Sequence, residues 1–186
     1  GRPLKPLETV DLKKYDSLPK LDMKIEDPLC QRYSCLQVEN ITKNVSPVNM
    51  RIRLFYCGMR GINLLADLTN YLMLEMGQPM HAFDGTKVQS IGVGMGENGT
   101  KFTTLDGTER DVDENTLLIL NNNEPVAVAG IMGGLDSEIV GDTDSVVLES
   151  ANFDGVCVRK TSSRMGLRTD ASARYEKILD PEMTVT

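Results

Sequence analysis

Between Val48 and Met76 the apolar residues recur every third or fourth position, and from Val88 onward they recur every second. A helix lines up one face every 3.6 residues and a strand every two, so this switch of period separates helices from strands along the chain. Capping residues return at Asp154 and Asp170 and predict further helices near the C-terminal end. Helices first, a β-rich middle and then helices predict an α+β fold rather than a βαβα repeat. No internal repeat is visible. The 186 residues suffice to bury a sizeable core, as one large domain or two small interlocked ones.

Each segment carries its own signals. Ser46-Pro47 predicts an N-cap followed by proline at the first helical position. Val48, Ile52, Phe55 and Met59 follow at helical spacing, with Gly58 near the end. A second helix runs from Asn63 to Met76 and stops at Gly77-Gln-Pro79, its apolar face made of Leu64, Leu65, Leu68, Tyr71, Leu72 and Met76. Met23-Lys-Ile-Glu26 and Tyr33-Ser-Cys-Leu-Gln-Val38 alternate as short strands. Asp106-Gly107 predicts a hairpin turn needing positive φ between Phe102–Leu105 and Thr108–Arg110. Thr116–Leu120 and Val126–Gly130 form a second hairpin across an Asn-rich turn, and Ser145–Glu149 is a further strand. Asp154 caps a helix reaching Gly166, and Asp170 caps another through Leu179. Residues 1–22 show no steady period and read as a linker.

Charge narrows the function classes. A net charge of −7 argues against a free-standing nucleic-acid binder, because Lys and Arg supply most non-specific affinity for phosphates. No apolar run approaches the roughly 20 residues of a membrane-spanning helix. The opening Gly-Arg-Pro3 lacks both Met and an apolar signal region, so it reads as an excised fragment or an expression product. Cys30, Cys35, Cys57 and Cys157 contain no C-x-x-C pair, and the chain has one histidine. A Cys/His zinc site is therefore not expected, and reduced cytosolic thiols are.

Few residues stand out for chemistry. Gly130-Ile-Met-Gly-Gly134 follows an apolar strand, where glycines either make a plain turn or let the backbone approach a ligand. No dinucleotide or P-loop pattern occurs, so nucleotide binding is not expected. Glu149 closes an apolar strand and sits either at a solvated rim, the simpler reading, or in a pocket. His81 lies in an extended segment stiffened by Pro79, which suits a positioned side chain, although a lone histidine is more often structural. Thr169-Asp-Ala-Ser172 looks like a helix start with Asp or Thr capping. Arg60, Asp67 and Asn70 read as caps and surface residues. Lys13-Lys14 and Arg159-Lys160 are too short to count as RNA-binding patches. The residues by themselves describe a soluble cytosolic α+β domain with a candidate pocket.

Taken in order, several segments resemble the β chain of bacterial phenylalanyl-tRNA synthetase in its tRNA-editing region. They are Cys57-Gly-Met-Arg60, Asp67-Leu-Thr-Asn-Tyr71, Glu75-Met-Gly-Gln-Pro-Met-His-Ala-Phe-Asp84 and Thr104-Leu-Asp-Gly107. Ala129-Gly-Ile-Met-Gly-Gly134, Leu148-Glu149, Gly166-Leu-Arg-Thr-Asp-Ala-Ser172, Arg174-Tyr-Glu176 and Asp180-Pro181 complete the set. The resemblance implies a compact editing module over residues 23–181, with a β-sandwich-like core flanked by helices in two interlocked subdomains. Residues 1–22 would then be a linker from the preceding part of the β chain, and 182–186 the start of the next segment.

The activity implied is hydrolysis of tyrosine wrongly attached to the phenylalanine tRNA. Glu149 matches the glutamate that recognises the tyrosine phenol. His81 matches a histidine lining the pocket, and as the one candidate base titrating near neutrality it is either a positioning residue or a base. Gly133 matches a glycine that leaves room for the amino acid, Thr169 and Ala171 match pocket residues, and Pro79 shapes the wall beside His81. Thr69, Asn70 and Arg60 match residues near the aminoacyl ester and terminal adenosine. The implied partners are mischarged tRNA(Phe) and the synthetase α subunit in a cytoplasmic (αβ)₂ tetramer, with no membrane and no DNA. No cofactor is implied for this region; ATP and Mg²⁺ serve the whole enzyme in its α chain. The alternatives are a scaffold or RNA-binding module with an inactive pocket, and a free-standing editing protein acting in trans.

Overall fold

The computed structural model describes residues 3, 11–25 and 27–185. Residues 1, 2 and 4–10 of the expected linker, Glu26 at the end of the first expected strand, and Thr186 lie outside them; the described part of the linker holds a 3₁₀ turn, Leu12–Tyr15, and the first residue of a strand, Asp22. In chain order, β1 (Asp22–Ile25) and β2 (Cys30–Val38) precede α1 (Val48–Tyr56) and α2 (Leu64–Met76). The β-rich part comprises β3 (Met80–Asp84), β4 (Ser90–Met95), β5 (Thr100–Thr103), β6 (Glu109–Val112), β7 (Leu117–Asn121), β8 (Glu124–Val128), β9 (Met132–Gly133) and β10 (Val146–Phe153). Two helices, α3 (Gly155–Arg164) and α4 (Asp170–Tyr175), follow.

The strands form a five-stranded sheet in the order β1-β4-β7-β8-β9, a three-stranded sheet in the order β2-β10-β3, and the ribbon β5-β6. Strand alternation makes the three-stranded sheet two-faced. Val147, Ala151 and Phe153 of β10, with Tyr33 and Phe83, enter a core shared with Ile91, Leu118, Ile119 and Val128 of the larger sheet. On the reverse face Ala82 and Val146 meet Leu65 of α2. Val158 of α3 and Tyr175 of α4 join the main core. The result is the expected α+β arrangement of sheet against sheet with helices outside.

Turn chemistry explains the hairpins. Asn122 and Asn123 have φ of 50° and 70°, so the two residues joining β7 to β8 are both left-handed, as a two-residue hairpin of this hand requires. Between β5 and β6 only Gly107 is left-handed, with φ 74°, while the Asp106 carboxylate accepts bonds from the Thr108 amide and the Thr104 hydroxyl. Asn63 caps α2 through the Ala66 amide, and Gly77 ends it in the left-handed conformation.

Four expectations are corrected. Ser46 does not cap α1; it is buried and donates to Asp67, whose other carboxylate oxygen accepts from the Ile62 amide. Asp67 is thus a buried clamp on the α1–α2 connection, not a surface residue. The apolar residues Val48, Ile52 and Phe55 face outward and Leu54 alone is buried in α1, because helical spacing says which residues share a face but not which face meets a neighbour. Of the two caps offered for α4 it is Thr169 rather than Asp170 that serves, and the helix ends at Tyr175 rather than Leu179. Beyond it, Pro181–Val185 makes a 3₁₀ turn against β2 and β10, with Thr184 buried and Arg32 paired to Glu182 at 2.5 Å.

Candidate functional site

A narrow cavity of about 60 Å³ opens between the two sheets. Pro79 and His81 line it from the start of β3, Glu149 from β10, Ala129 through Gly133 from the β8–β9 connection, and Ala171 from the first turn of α4. Five of the residues singled out in the sequence, Pro79, His81, Gly133, Glu149 and Ala171, therefore share one cavity. The reason is register. His81 stands directly opposite Glu149 in the β3–β10 pairing, so both side chains leave the sheet on the core face. The rim reading of Glu149 is thereby replaced: the carboxylate is buried at 6% exposure.

Gly133 lies tight against His81. A methyl group there would sit 2.6 Å from the imidazole Cε1 and Nε2 atoms, closer than carbon atoms tolerate. Gly130 is left-handed at φ 69°, and its own Cβ would meet Tyr175 and Val158 at 3.0 Å. The glycine cluster is thus a close-approach segment rather than a plain turn. Thr169 stands just behind the wall: its hydroxyl donates to the Ile131 carbonyl at 2.9 Å and accepts from the Ser172 amide, tying the start of α4 to the cavity lining.

The electrostatics follow from burial. Glu149 accepts a hydrogen bond from the Tyr33 hydroxyl at 2.5 Å, and no cation pairs with it among the described residues. Burial pushes its carboxyl up to about 7, against the opposing pull of the Tyr33 bond. Burial and then the neighbouring Glu149 hold the Tyr33 phenol well above its ordinary range, and the same causes act on Tyr175. His81, partly open toward the cavity, packs edge-on against Phe83 with ring centres 4.5 Å apart. Burial pushes its imidazole down to about 4. This corrects the expectation of a base titrating near neutrality: at pH 7 His81 is a neutral, weakly basic ring, and the group poised near neutrality is Glu149.

The remaining expected residues fall elsewhere. Thr69 is buried in α2 with its hydroxyl donating to the Ala66 carbonyl, and Asn70 is its half-buried neighbour. The helix they share packs on the reverse face of the three-stranded sheet through Leu65. Arg60 is exposed and lines a wider surface concavity of about 790 Å³ along α1 with Phe55 and Tyr56. Sequence reasoning overlooked Tyr33. A tyrosine at a core-facing strand position needs a partner for its hydroxyl, which was the available signal. Among the described residues no group of three or more metal-ligating side chains converges, and no helix is long and apolar enough to cross a membrane.

With this geometry in hand, comparison with known proteins is specific. The sequence profile of the B3/4 domain matches residues 29–186. The phenylalanine–tRNA ligase β subunit of Clostridium acetobutylicum is 47% identical over 166 residues, covering 88% of this chain and 21% of that protein. Its counterpart in Clostridium tetani is 48% identical over 165 residues, again covering 88% and 21%. The chain thus spans about a fifth of the length of these relatives. Among solved structures, an N-terminal fragment of the phenylalanyl-tRNA synthetase β subunit from Pyrococcus horikoshii has the same fold, with a TM-score of 0.52 at 13% identity over 89% of this chain and 52% of that one.

Proposed function

The chain belongs to the B3/4 domain family, and on that basis we propose that it is the editing part of a phenylalanine–tRNA ligase β subunit, hydrolysing the ester of tyrosine wrongly attached to tRNA(Phe). One observation carries the reading: a buried carboxylate with no cation partner among the described residues, Glu149, faces a cavity whose other walls are apolar residues, glycine backbone, the uncharged His81 ring and Tyr175.

Tyrosine differs from phenylalanine by one hydroxyl, which an apolar pocket rejects by only ~10²-fold. A second site that accepts a hydrogen bond from that hydroxyl reverses the preference. Phenylalanine entering it leaves a buried acceptor without the added bond, at a cost of about 1–3 kcal/mol, more for an ionised group. Glu149 supplies that acceptor. The missing side chain of Gly133 and the small one of Ala171 leave the ring its space, while Met80 and Met132 are adaptable lining residues that shift as the ring displaces water from the narrow cavity.

The chemical step is attack of water on the aminoacyl carbonyl with departure of the ribose hydroxyl. The ester is activated, so holding it and its water in line supplies much of the rate. His81, neutral and wedged between Phe83 and Gly133, acts here as a positioning residue. Thr169 fixes the wall, and Asn70 and Arg60, neither of them buried, serve the incoming ester and terminal adenosine from outside the cavity, whereas the buried Thr69 hydroxyl is spent on the Ala66 carbonyl within α2. The acidic net charge supports a reading in which the rest of a cytoplasmic (αβ)₂ enzyme delivers the tRNA, with ATP, Mg²⁺ and the synthetic site in its α chain.

The test is release of tyrosine from tyrosyl-tRNA(Phe) by the assembled enzyme, beside Glu149→Ala and Ala171→Trp. Rapid release by the parent and loss in both variants supports the assignment. Persistence of the ester with the parent makes this region a scaffold with an inactive pocket.

A further inference from the structure

Glu149 has two carboxylate oxygens and one is already taken. Tyr33, from the neighbouring strand β2, reaches under the sheet and donates its hydroxyl to Oε2. The Tyr33 ring is fixed in turn by edge-on packing against Phe153, with ring centres 6.5 Å apart, and is itself buried. The protein has therefore placed a phenol of its own against the carboxylate that, under the proposed function, must accept the phenol of a substrate. A carboxylate offers about four acceptor directions, so one internal phenol orients the group and leaves Oε1 for a second.

We infer that Tyr33 is a positioning residue for amino-acid selection, holding Glu149 in the orientation and the ionised form that accept the tyrosine phenol. The inference rests on the editing function proposed above. A carboxylate accepts a charge-assisted bond roughly twice as strong as a neutral carboxyl does, so the protonation state of Glu149 sets the margin between tyrosine and phenylalanine. The titratable groups facing Glu149 are Tyr33, Cys30 and Cys35 from β2, His81 from β3 and Tyr175 from α4. Burial holds the thiols and phenols in their neutral forms and His81 in its uncharged form. The β8–β9 connection, Ala129–Ile131, brings no titratable side chain. Among the described residues Tyr33 is thus the one neighbour whose bond opposes the desolvation of the carboxylate.

The experiment measures hydrolysis of tyrosyl- and phenylalanyl-tRNA(Phe) between pH 5 and 9 by the assembled enzyme with its full β chain. The parent is compared with Tyr33→Phe, with 3-fluorotyrosine at position 33, and with Tyr33→Phe combined with Glu149→Gln. Removing the hydroxyl moves the rising limb of tyrosyl hydrolysis to higher pH and lowers the tyrosyl-to-phenylalanyl ratio of kcat/KM at pH 7 by roughly tenfold. Fluorotyrosine, isosteric with a more acidic hydroxyl, moves the limb the other way and keeps the test open should the phenylalanine variant unfold. In the Glu149→Gln background the Tyr33→Phe change leaves the ratio as it is. An active parent whose profile and ratio do not respond to either Tyr33 change overturns the role of Tyr33 alone. So does an equal loss in the Glu149→Gln background. A parent that leaves the tyrosyl ester intact removes the function and this inference together.

Discussion

Replacing Glu149 by glutamine isolates the cost of burying this carboxylate. Glutamine keeps an oxygen for the Tyr33 hydroxyl and nearly the same volume, so the change is chiefly one of charge. Burial raises the carboxyl from 4.5 to about 7. Below pH 4.5 the group is protonated in folded and unfolded chains alike and costs nothing. As pH rises the unfolded chain ionises first, and the stability that the protonated form carried is fully lost only above pH 7. Linkage puts the loss at about 3 kcal/mol, because each tenfold change in proton affinity between the folded and unfolded chains is worth about 1.4 kcal/mol. For a chain of this size 1 kcal/mol moves the melting midpoint by roughly 2–4 °C, so Glu149→Gln should gain ~6–12 °C on the parent between pH 4.5 and pH 8. His81 acts with the opposite sign: its imidazole is held down at about 4, and stability falls as pH drops below 6.5. Because His81 is present in both proteins, the difference between parent and variant cancels it. Thermal melts followed by circular dichroism across pH 4.5–8 make the measurement. A parent-to-variant gap independent of pH would refute the reasoning, since it would mean that the carboxylate is solvated or compensated in the folded state.

Three further outcomes follow from the geometry. Gly133→Ala drives a methyl group into the His81 ring and should cost about 1–3 kcal/mol of stability by overpacking, together with most tyrosyl-ester hydrolysis, as read by urea unfolding and a deacylation assay. Asp67→Ala strands the Ser46 hydroxyl and the Ile62 amide and should destabilise by about 2–4 kcal/mol, whereas Ser46→Ala removes only one partner and should cost less in the same unfolding assay. His81→Gln should leave no change in the pH dependence of hydrolysis near pH 6.5, because the native imidazole is already neutral there; disappearance of a limb at that pH would identify His81 as the base.

Local chemistry was legible wherever it was decided locally. Asn63 and Asp154 cap their helices, Gly77 ends α2, and the Asn122-Asn123 turn joins its hairpin as their side chains and φ preferences dictate. Short-range signals failed where a distant partner outcompeted them. Ser46 looked like a cap but bonds Asp67, 21 positions away, and the spaced apolar residues of α1 found no layer to cover them. The site divides the same way. Pro79, His81, Gly133, Glu149 and Ala171 were each visible as residues, and by themselves each had an ordinary structural explanation.

The sequence by itself determined the α+β class, the main element boundaries and the set of segments shared with the B3/4 family, because periodicity, capping and motif order are properties of neighbouring residues. Only the tertiary structure decided that β10 pairs with β3 so that Glu149 faces His81, that Tyr33 from β2 meets the same carboxylate 116 positions along the chain, and that the imidazole is neutral while the carboxyl is poised near neutrality. Strand register and desolvation depend on what packs against a residue from elsewhere in the chain, and no local pattern encodes them.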